Sequence, residues 1–336
     1  LPVLNQKYLK VAYPNSQSLI KYQKFKNFGE RITRSIGLKK FRTFINRIIS
    51  VVKPSGKVFI IAEPEYQFSE PEAKPVTILS ANLWHDWPRN RRLKERLICF
   101  VELIKKEKVD ILLLQELVRT NEFEADKWLR DQLGMAYIYS RTNGTAPGIG
   151  FEEGLAIFSR YPIKNHRLAQ LSDQNNPFSR RMALGTCIET DGGDFLAYSV
   201  HLGIIGRQNK KQVSRLKDWV EEESGDNPAV IGGDFNAEEN TSQIRSTKTT
   251  WHDSYRAIHP RDDVFSHEIL WPWGNVLKRS RLDYLFLRTG NHSWQVNEAR
   301  HIDTGDCPYS DHTPVLIKAS FNGRGFKGRV SNGFPI

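Results

Sequence analysis

The chain has 336 residues, 39% hydrophobic and 26% charged, which suits one large globular domain or two modest ones and excludes a low-complexity or disordered chain. No run approaches the ~20 consecutive apolar residues of a membrane-spanning helix, and no secretory leader is recognisable. The net charge of +11 is unevenly held: residues 1–70 carry 13 Lys/Arg against 4 Asp/Glu, and the remainder is almost balanced.

Within that basic segment, residues 38–52 place Phe41, Phe44, Ile45, Ile48, Ile49 and Val52 at helical spacing, with Lys39, Lys40, Arg42 and Arg47 off the stripe. This predicts an amphipathic helix, which either docks on the main domain or binds a lipid or polyanion surface. Residues 1–62 are read as a basic N-terminal extension, and residues 63–75 (EPEYQFSEPEAKP) as a linker. The main domain is expected over residues 76–321, with a tail at 322–336. It begins with a strand at 76–81 and a helix at 91–106, whose Leu93, Leu97, Phe100, Val101 and Ile104 share one face. A buried strand at 109–114 and a helix at 122–133 follow. Strands at 155–159, 182–189 and 195–200, a helix at 207–223, and strands at 230–233, 282–287 and 315–319 complete the pattern. Many strands with few long helices predict an α/β fold in which sheet packs on sheet with helices outside. The apolar stretch 269–277 (ILWPWGNVL) reads as a packed loop over the sandwich end. Cys99, Cys187 and Cys307 are odd in number and match no zinc or redox spacing, so they read as small buried apolar residues, compatible with a reducing compartment.

Six short polar clusters sit at the ends of these strands: Asn82 in SANLW, Gln115–Glu116 in LLLQEL, His201 in SVHLG, Asp234 and Asn236 in GGDFN, Asp283 in RLDYLFL, and Asp311–His312 in YSDHTP. Strand ends are where a rigid scaffold hands side chains to a shared cleft. Glu116, Asp234 and Asp311 are hard oxygen donors, and Asn82 and Asn236 are neutral amides, a set suited to Mg²⁺ or Mn²⁺ rather than zinc. Two histidines and a spare carboxylate can then move protons. Taken singly, each residue has a plainer reading as a turn or cap residue. Asp110 is read as structural, and His166, His259 and His292 as solvated surface. The ordered set, each member following an apolar strand, is what points to a site.

The motifs LLLQE, GGDFN, RLDY and SDHTP, in this order over residues 76–321, resemble the endonuclease/exonuclease/phosphatase superfamily of metal-dependent phosphoesterases. The resemblance implies a four-layered α/β sandwich of two mostly antiparallel sheets flanked by helices. It implies Glu116 as principal metal ligand with Asn82 close by, and Asp311 as a further metal-side ligand. Asp234 and Asn236 would orient the attacking water and grip the phosphate. His312 would lie next to the scissile phosphate, paired with Asp283, a pairing that fixes the tautomer and raises basicity. His201 would contact phosphate or assist the leaving group, as in DNase-like and sphingomyelinase-like members.

Substrate is less legible. KRSRLDYLF lacks the run expected of inositol phosphatases, and His201 replaces the tyrosine of AP endonucleases. The basic segment favours nucleic acid as partner, with an anionic or phospholipid membrane surface as the alternative and no obligate protein partner. The protein is read as a monomeric hydrolase; the sequence leaves its localisation open, favouring the cytoplasm, with the basic segment allowing peripheral membrane association. Arg207, Trp271 and Trp273 are read as substrate contacts, the tryptophans by stacking on bases or by insertion at a lipid interface.

Overall fold

The computed structural model describes residues 58–61, 74–87, 89–173, 180–271 and 274–321. The segment expected to form the amphipathic helix, most of the expected linker, Trp273 and the expected tail lie outside these residues. In chain order the first elements are β1 (Val58–Ile61), β2 (Val76–Asn82), α1 (Leu93–Glu107), β3 (Ile111–Arg119), α2 (Ala125–Leu133), β4 (Ala136–Thr145), α3 (Ala146–Ile149) and β5 (Phe151–Ser159). Then come β6 (Ile163–Gln170), β7 (Met182–Thr190), β8 (Gly193–His201), α4 (Gly206–Ser224), β9 (Ala229–Asp234), α5 (Ser242–Thr247), β10 (His252–Asp253) and α6 (Ser254–Ile258). The last are β11 (His267–Leu270), β12 (Val276–Ser280), β13 (Asp283–Arg288), β14 (Trp294–His301) and β15 (Val315–Phe321).

Two strand–helix–strand units organise the domain. β2 and β3 pair in parallel with α1 between them in sequence, and β8 and β9 pair in parallel with α4 between them. A parallel pair needs such a crossover, so both carboxyl ends emerge on one edge. The remaining strands pair antiparallel around these units. One sheet has the order β1-β4-β5-β3-β2-β15-β14, the other β10-β13-β9-β8-β7-β6, and β11-β12 form a separate hairpin.

Strands that are buried on both faces read as continuous apolar runs rather than alternating ones. In β3, Ile111 and Leu113 belong to the core between the sheets, and Leu112 and Leu114 to the core beneath α1 and α2. In β9, Val230 faces the inter-sheet core and Ile231 the core beneath α4. Three apolar cores thus separate four layers, helix–sheet–sheet–helix, as expected. At the inter-sheet seam Gln115 Nε2 donates to Ser199 Oγ at 3.0 Å, and Ser199 Oγ donates to the Leu114 carbonyl at 2.9 Å. Gly232 is enclosed there by Leu113, Leu285 and Ser80, where an added Cβ would meet atoms at 2.6–3.2 Å.

Several expectations are corrected. The described part of 269–277 is not a packed loop: residues 269–271 and 274–277 belong to the β11–β12 hairpin, with Ile269, Trp271, Val276 and Leu277 exposed. The segment lacked the alternation that marks a half-buried strand, because neither face is covered. Strands β1, β4, β6, β10, β11, β12 and β14 escaped the sequence reading; β1, inside the stretch read as an N-terminal extension, pairs with β4, and β6 and β14 lie at sheet edges and are largely polar. Cys99 and Cys307 are not separate buried residues but a disulfide, closed across 208 residues of sequence. That distance in sequence is why their spacing showed no pattern. Cys187 is free and buried, as expected.

Candidate active site

The candidate cleft is built where the two parallel units end. Asp234 closes β9 with His201 of β8 and Asp283 of β13 as its register partners on either side. On the other sheet Asn82 closes β2 opposite Gln115. The register of β3 against β5 shifts between Leu114 and Leu117, and Glu116 takes φ 55°. A bulge re-aims one side chain out of the normal alternation. Gln115 therefore serves the seam, and Glu116 turns to the cleft.

Hydrogen bonds join the two sheets at this point. Asn82 Nδ2 donates to Glu116 Oε1 at 3.2 Å and to Asp234 Oδ2 at 3.3 Å. Asn236, at φ 48°, donates its backbone N–H to Asp234 Oδ1 at 2.8 Å and its amide to Asp234 Oδ2 at 3.1 Å. His201 Nε2 lies 3.6 Å from Asp234 Oδ2 and 3.9 Å from Glu116 Oε1. His312 Nδ1 lies 2.7 Å from Asp283 Oδ2, and its Nε2 is 4.0 Å from Asp234 Oδ2. Seven of the predicted residues thus form one cluster: Asn82, Glu116, His201, Asp234, Asn236, Asp283 and His312.

Asp311 is exposed at the cleft edge, within electrostatic reach of Glu116, His312 and His267. The structure does not bring Arg207 or Trp271 into the cluster. Arg207 is exposed at the start of α4, and Trp271 is exposed at the hairpin turn, where its backbone N–H bonds the Asn275 carbonyl.

Three members were missed in the sequence. His85 donates its backbone N–H to Glu116 Oε2 at 3.0 Å, and its ring Nε2 is 3.6 Å from Glu116 Oε2 and 3.4 Å from Glu153 Oε2. Glu153 lies on β5. His267, at the start of β11, packs its ring against that of His312 with centroids 4.6 Å apart and the planes tilted by 39°. His85 could have been found three residues past Asn82, and Glu153 just before the expected strand at 155–159. No local motif marks His267.

Charge is distributed unevenly across the cleft. Burial would raise the Glu116 carboxyl, but His85, His201 and the hydrogen bonds from His85 and Asn82 hold it down at about 2. Asp234 goes the other way: burial and the neighbouring Asp283 carboxylate push it up to about 7, against the pull of His312. Burial would lower His312, but the Asp283 carboxylate raises it to about 10. His201 is held well below its ordinary value by burial and by Arg181. At neutral pH the cleft therefore holds an anionic Glu116, a protonated His312 and a neutral His201.

The side chains fit a hard divalent cation. Glu116, Glu153 and His85 can each offer a ligand atom, all within 4.8 Å of one another. Glu153 Oε2 is buried without a hydrogen-bond partner, a state that a cation would relieve. The second group of this kind, Asp234, Asp283 and His312, is already neutralised by the His312–Asp283 pair. The Glu116 side, with Asn82 beside it, is thus the better cation seat, and oxygen donors predominate there.

Comparison with known proteins agrees with this geometry. Residues 79–312 match the sequence profile of the Endonuclease/Exonuclease/phosphatase family. The chain is 24% identical over 146 residues to the uncharacterized protein YbhP of Escherichia coli; the matched region is 44% of this chain and spans 55%, about half, of that relative's length. An endonuclease/exonuclease/phosphatase family protein from Leptotrichia buccalis superposes with a TM-score of 0.61 at 20% identity, covering 73% of this chain and 99% of its own. The human Nocturnin catalytic domain, solved with a bound sulfate anion, superposes with a TM-score of 0.60 at 18% identity, covering 79% and 97%.

Proposed function

The chain belongs to the Endonuclease/Exonuclease/phosphatase family, and from that premise we propose that it is a phosphoester hydrolase that cleaves phosphodiester bonds of nucleic acid by in-line attack of water, with Mg²⁺ or Mn²⁺ at the site. The observation that carries the reading is the convergence of Asn82, His201, Asn236 and His312 on the single carboxylate of Asp234, with Glu116 alongside.

Glu116 and Asn82, with Asp311, Glu153 and His85 beside them, would hold the cation, which would supply charge neutralisation of the phosphoryl oxygens. Asp234 is the base. A carboxyl raised toward neutrality by its buried setting accepts a proton from water far more readily than an ordinary one. Asn236 and Asn82 fix its two oxygens and so its orientation. His312, charged and anchored by Asp283, pairs with a phosphoryl oxygen at Nε2. Neutral His201 offers its ring N–H to the phosphate or to the departing oxygen.

Nucleic acid is preferred because the +9 charge of residues 1–70 suits a polyphosphate backbone. One observation favours a phospholipid instead: Ile269, Trp271, Val276 and Leu277 are 42–50% exposed on the hairpin that starts at His267. The test is a panel assay with plasmid DNA, RNA, sphingomyelin vesicles and phosphoinositide vesicles, each with Mg²⁺ and with EDTA. Cleavage of DNA or RNA that EDTA abolishes is expected. Cleavage of vesicle lipid alone, lost in Trp271→Ala, would replace nucleic acid with lipid.

A further inference from the structure

Helix α1 contributes no side chain to the cleft, yet one face of it grips both loops that bring in metal-side and phosphate-side groups. Arg96 is buried, with 8% of its surface exposed. Its Nη1 donates at once to the Leu83 carbonyl at 2.9 Å and to the Tyr309 carbonyl at 2.8 Å. Leu83 follows Asn82 and lies two residues before His85. Tyr309 lies two residues before Asp311 and three before His312. One guanidinium nitrogen therefore ties together two loops separated by more than 200 residues of sequence, and its Nε is held in turn by the Arg91 carbonyl at 3.1 Å.

The same helical face makes two more attachments to the second loop. Cys99 is bonded to Cys307, and Phe100 packs its ring 4.8 Å from that of Tyr309. Positions 96, 99 and 100 are neighbours on one helix face. Arg96 also lies under the Trp84 ring, 5.0 Å from its centroid. The first loop is itself tight: Trp84 sits at φ 48° with its N–H on Asn82 Oδ1 at 3.0 Å.

We propose that Arg96 and the Cys99–Cys307 bond are positioning groups for the reaction, setting the gap between the Asn82–His85 loop and the Asp311–His312 loop across which cation and phosphate are held. The inference rests on the phosphoesterase reading given above and adds to it the element that spaces its two halves. Carbonyls accept from Arg96 in pairs here, so a shorter side chain cannot hold both loops at their present separation. The disulfide fixes the distal loop against the same helix independently of Arg96.

Two variants test this: Arg96→Lys, and Cys99→Ser with Cys307→Ser together. Each is measured below its melting temperature for binding of Mn²⁺ alone by calorimetry, and for kcat and KM on whichever substrate the panel identifies. Displaced supporting groups typically weaken a metal site by about 10–100-fold. The expected result for both is Mn²⁺ affinity reduced by about tenfold or more and a fall in kcat larger than any change in KM. Lowered melting temperature with unchanged Mn²⁺ affinity and unchanged kcat would make α1 a structural staple only and overturn the proposal, as would wild-type values throughout. Should Arg96→Lys fail to fold, the serine pair carries the same readouts, since its fold retains the Arg96 bridge. A wild-type protein that neither binds Mn²⁺ nor cleaves any phosphoester would instead overturn the functional reading, and that outcome is read without either variant.

Discussion

Glu116 and Asn236 each occupy a left-handed backbone conformation that non-glycine residues rarely take, at a cost of about 1–3 kcal/mol per residue. Both face the same carboxylate, Asp234, through Asn82 in one case and directly in the other. The strain is held because each side chain is then pinned by hydrogen bonds, leaving little reorganisation when charge develops. Asp234→Asn should lower kcat by about 10²–10⁴-fold with the fold intact, because it removes the base while keeping the shape; steady-state kinetics at saturating Mg²⁺ checks this. Near-normal turnover would show that another group takes the proton. Glu116→Gln should instead raise the Mg²⁺ concentration needed for half-maximal rate, read from a metal titration. His85→Ala belongs with it: the ring beside Glu116 and Glu153 should prove worth about tenfold or more in metal affinity, and an unchanged titration would remove His85 from the site.

At the level of elements, the bulge in β3 and the glycines of β9 bring the two sheets' chemistry to one place. Gly233 leaves no room for a side chain, since a Cβ there would sit 1.9 Å from the Val200 carbonyl oxygen. Gly233→Ala should therefore force β8 and β9 apart, costing about 3 kcal/mol or more and misplacing both His201 and Asp234; urea unfolding with parallel kinetics measures both losses. A different element sets a pH limit. His301, at the end of β14, has both ring nitrogens buried without a hydrogen-bond partner, and burial together with Arg281 depresses it from 6.5 to about 4. The unfolded chain binds that proton first, so the stability His301 contributes is whole above pH 6.5 and drains away as pH falls toward 4. His301→Phe should flatten the melting temperature between those limits. Melts at half-unit pH steps would show it, and an unchanged slope would assign the acid sensitivity elsewhere.

For the whole molecule, charge and shape suggest different partners. The excess of basic residues lies in the first 70, and among the described residues four of the exposed large apolar side chains, Ile269, Trp271, Val276 and Leu277, lie on the β11–β12 hairpin beside His267. If nucleic acid is the substrate, binding should weaken steeply with salt, with a log–log slope of several units set by the number of phosphates neutralised. Fluorescence anisotropy of labelled DNA or RNA between ~50 and ~200 mM salt measures that slope. A flat response would leave the basic segment without a polyanion to bind.

Much of this protein was written in local patterns. The apolar strands with a polar residue at each end identified β2, β3, β8, β9 and β13, because a strand buried on both faces must be apolar throughout and breaks that rule only where it meets a cleft. The same strand ends named seven members of the site. What local pattern could not contain was anything set by approach across the fold. His267 reaches His312 through a hairpin whose exposed faces carry no alternation, and Cys99 meets Cys307 only once α1 is laid on its sheet. Glu116 faces the cleft because β3 bulges against β5, and Arg96 bridges two loops that share no sequence neighbourhood. Burial and strand period are properties of a short stretch of chain, so the sequence alone determined them. Distances between groups hundreds of residues apart depend on how the two sheets close over their common core, and only the tertiary structure decided those.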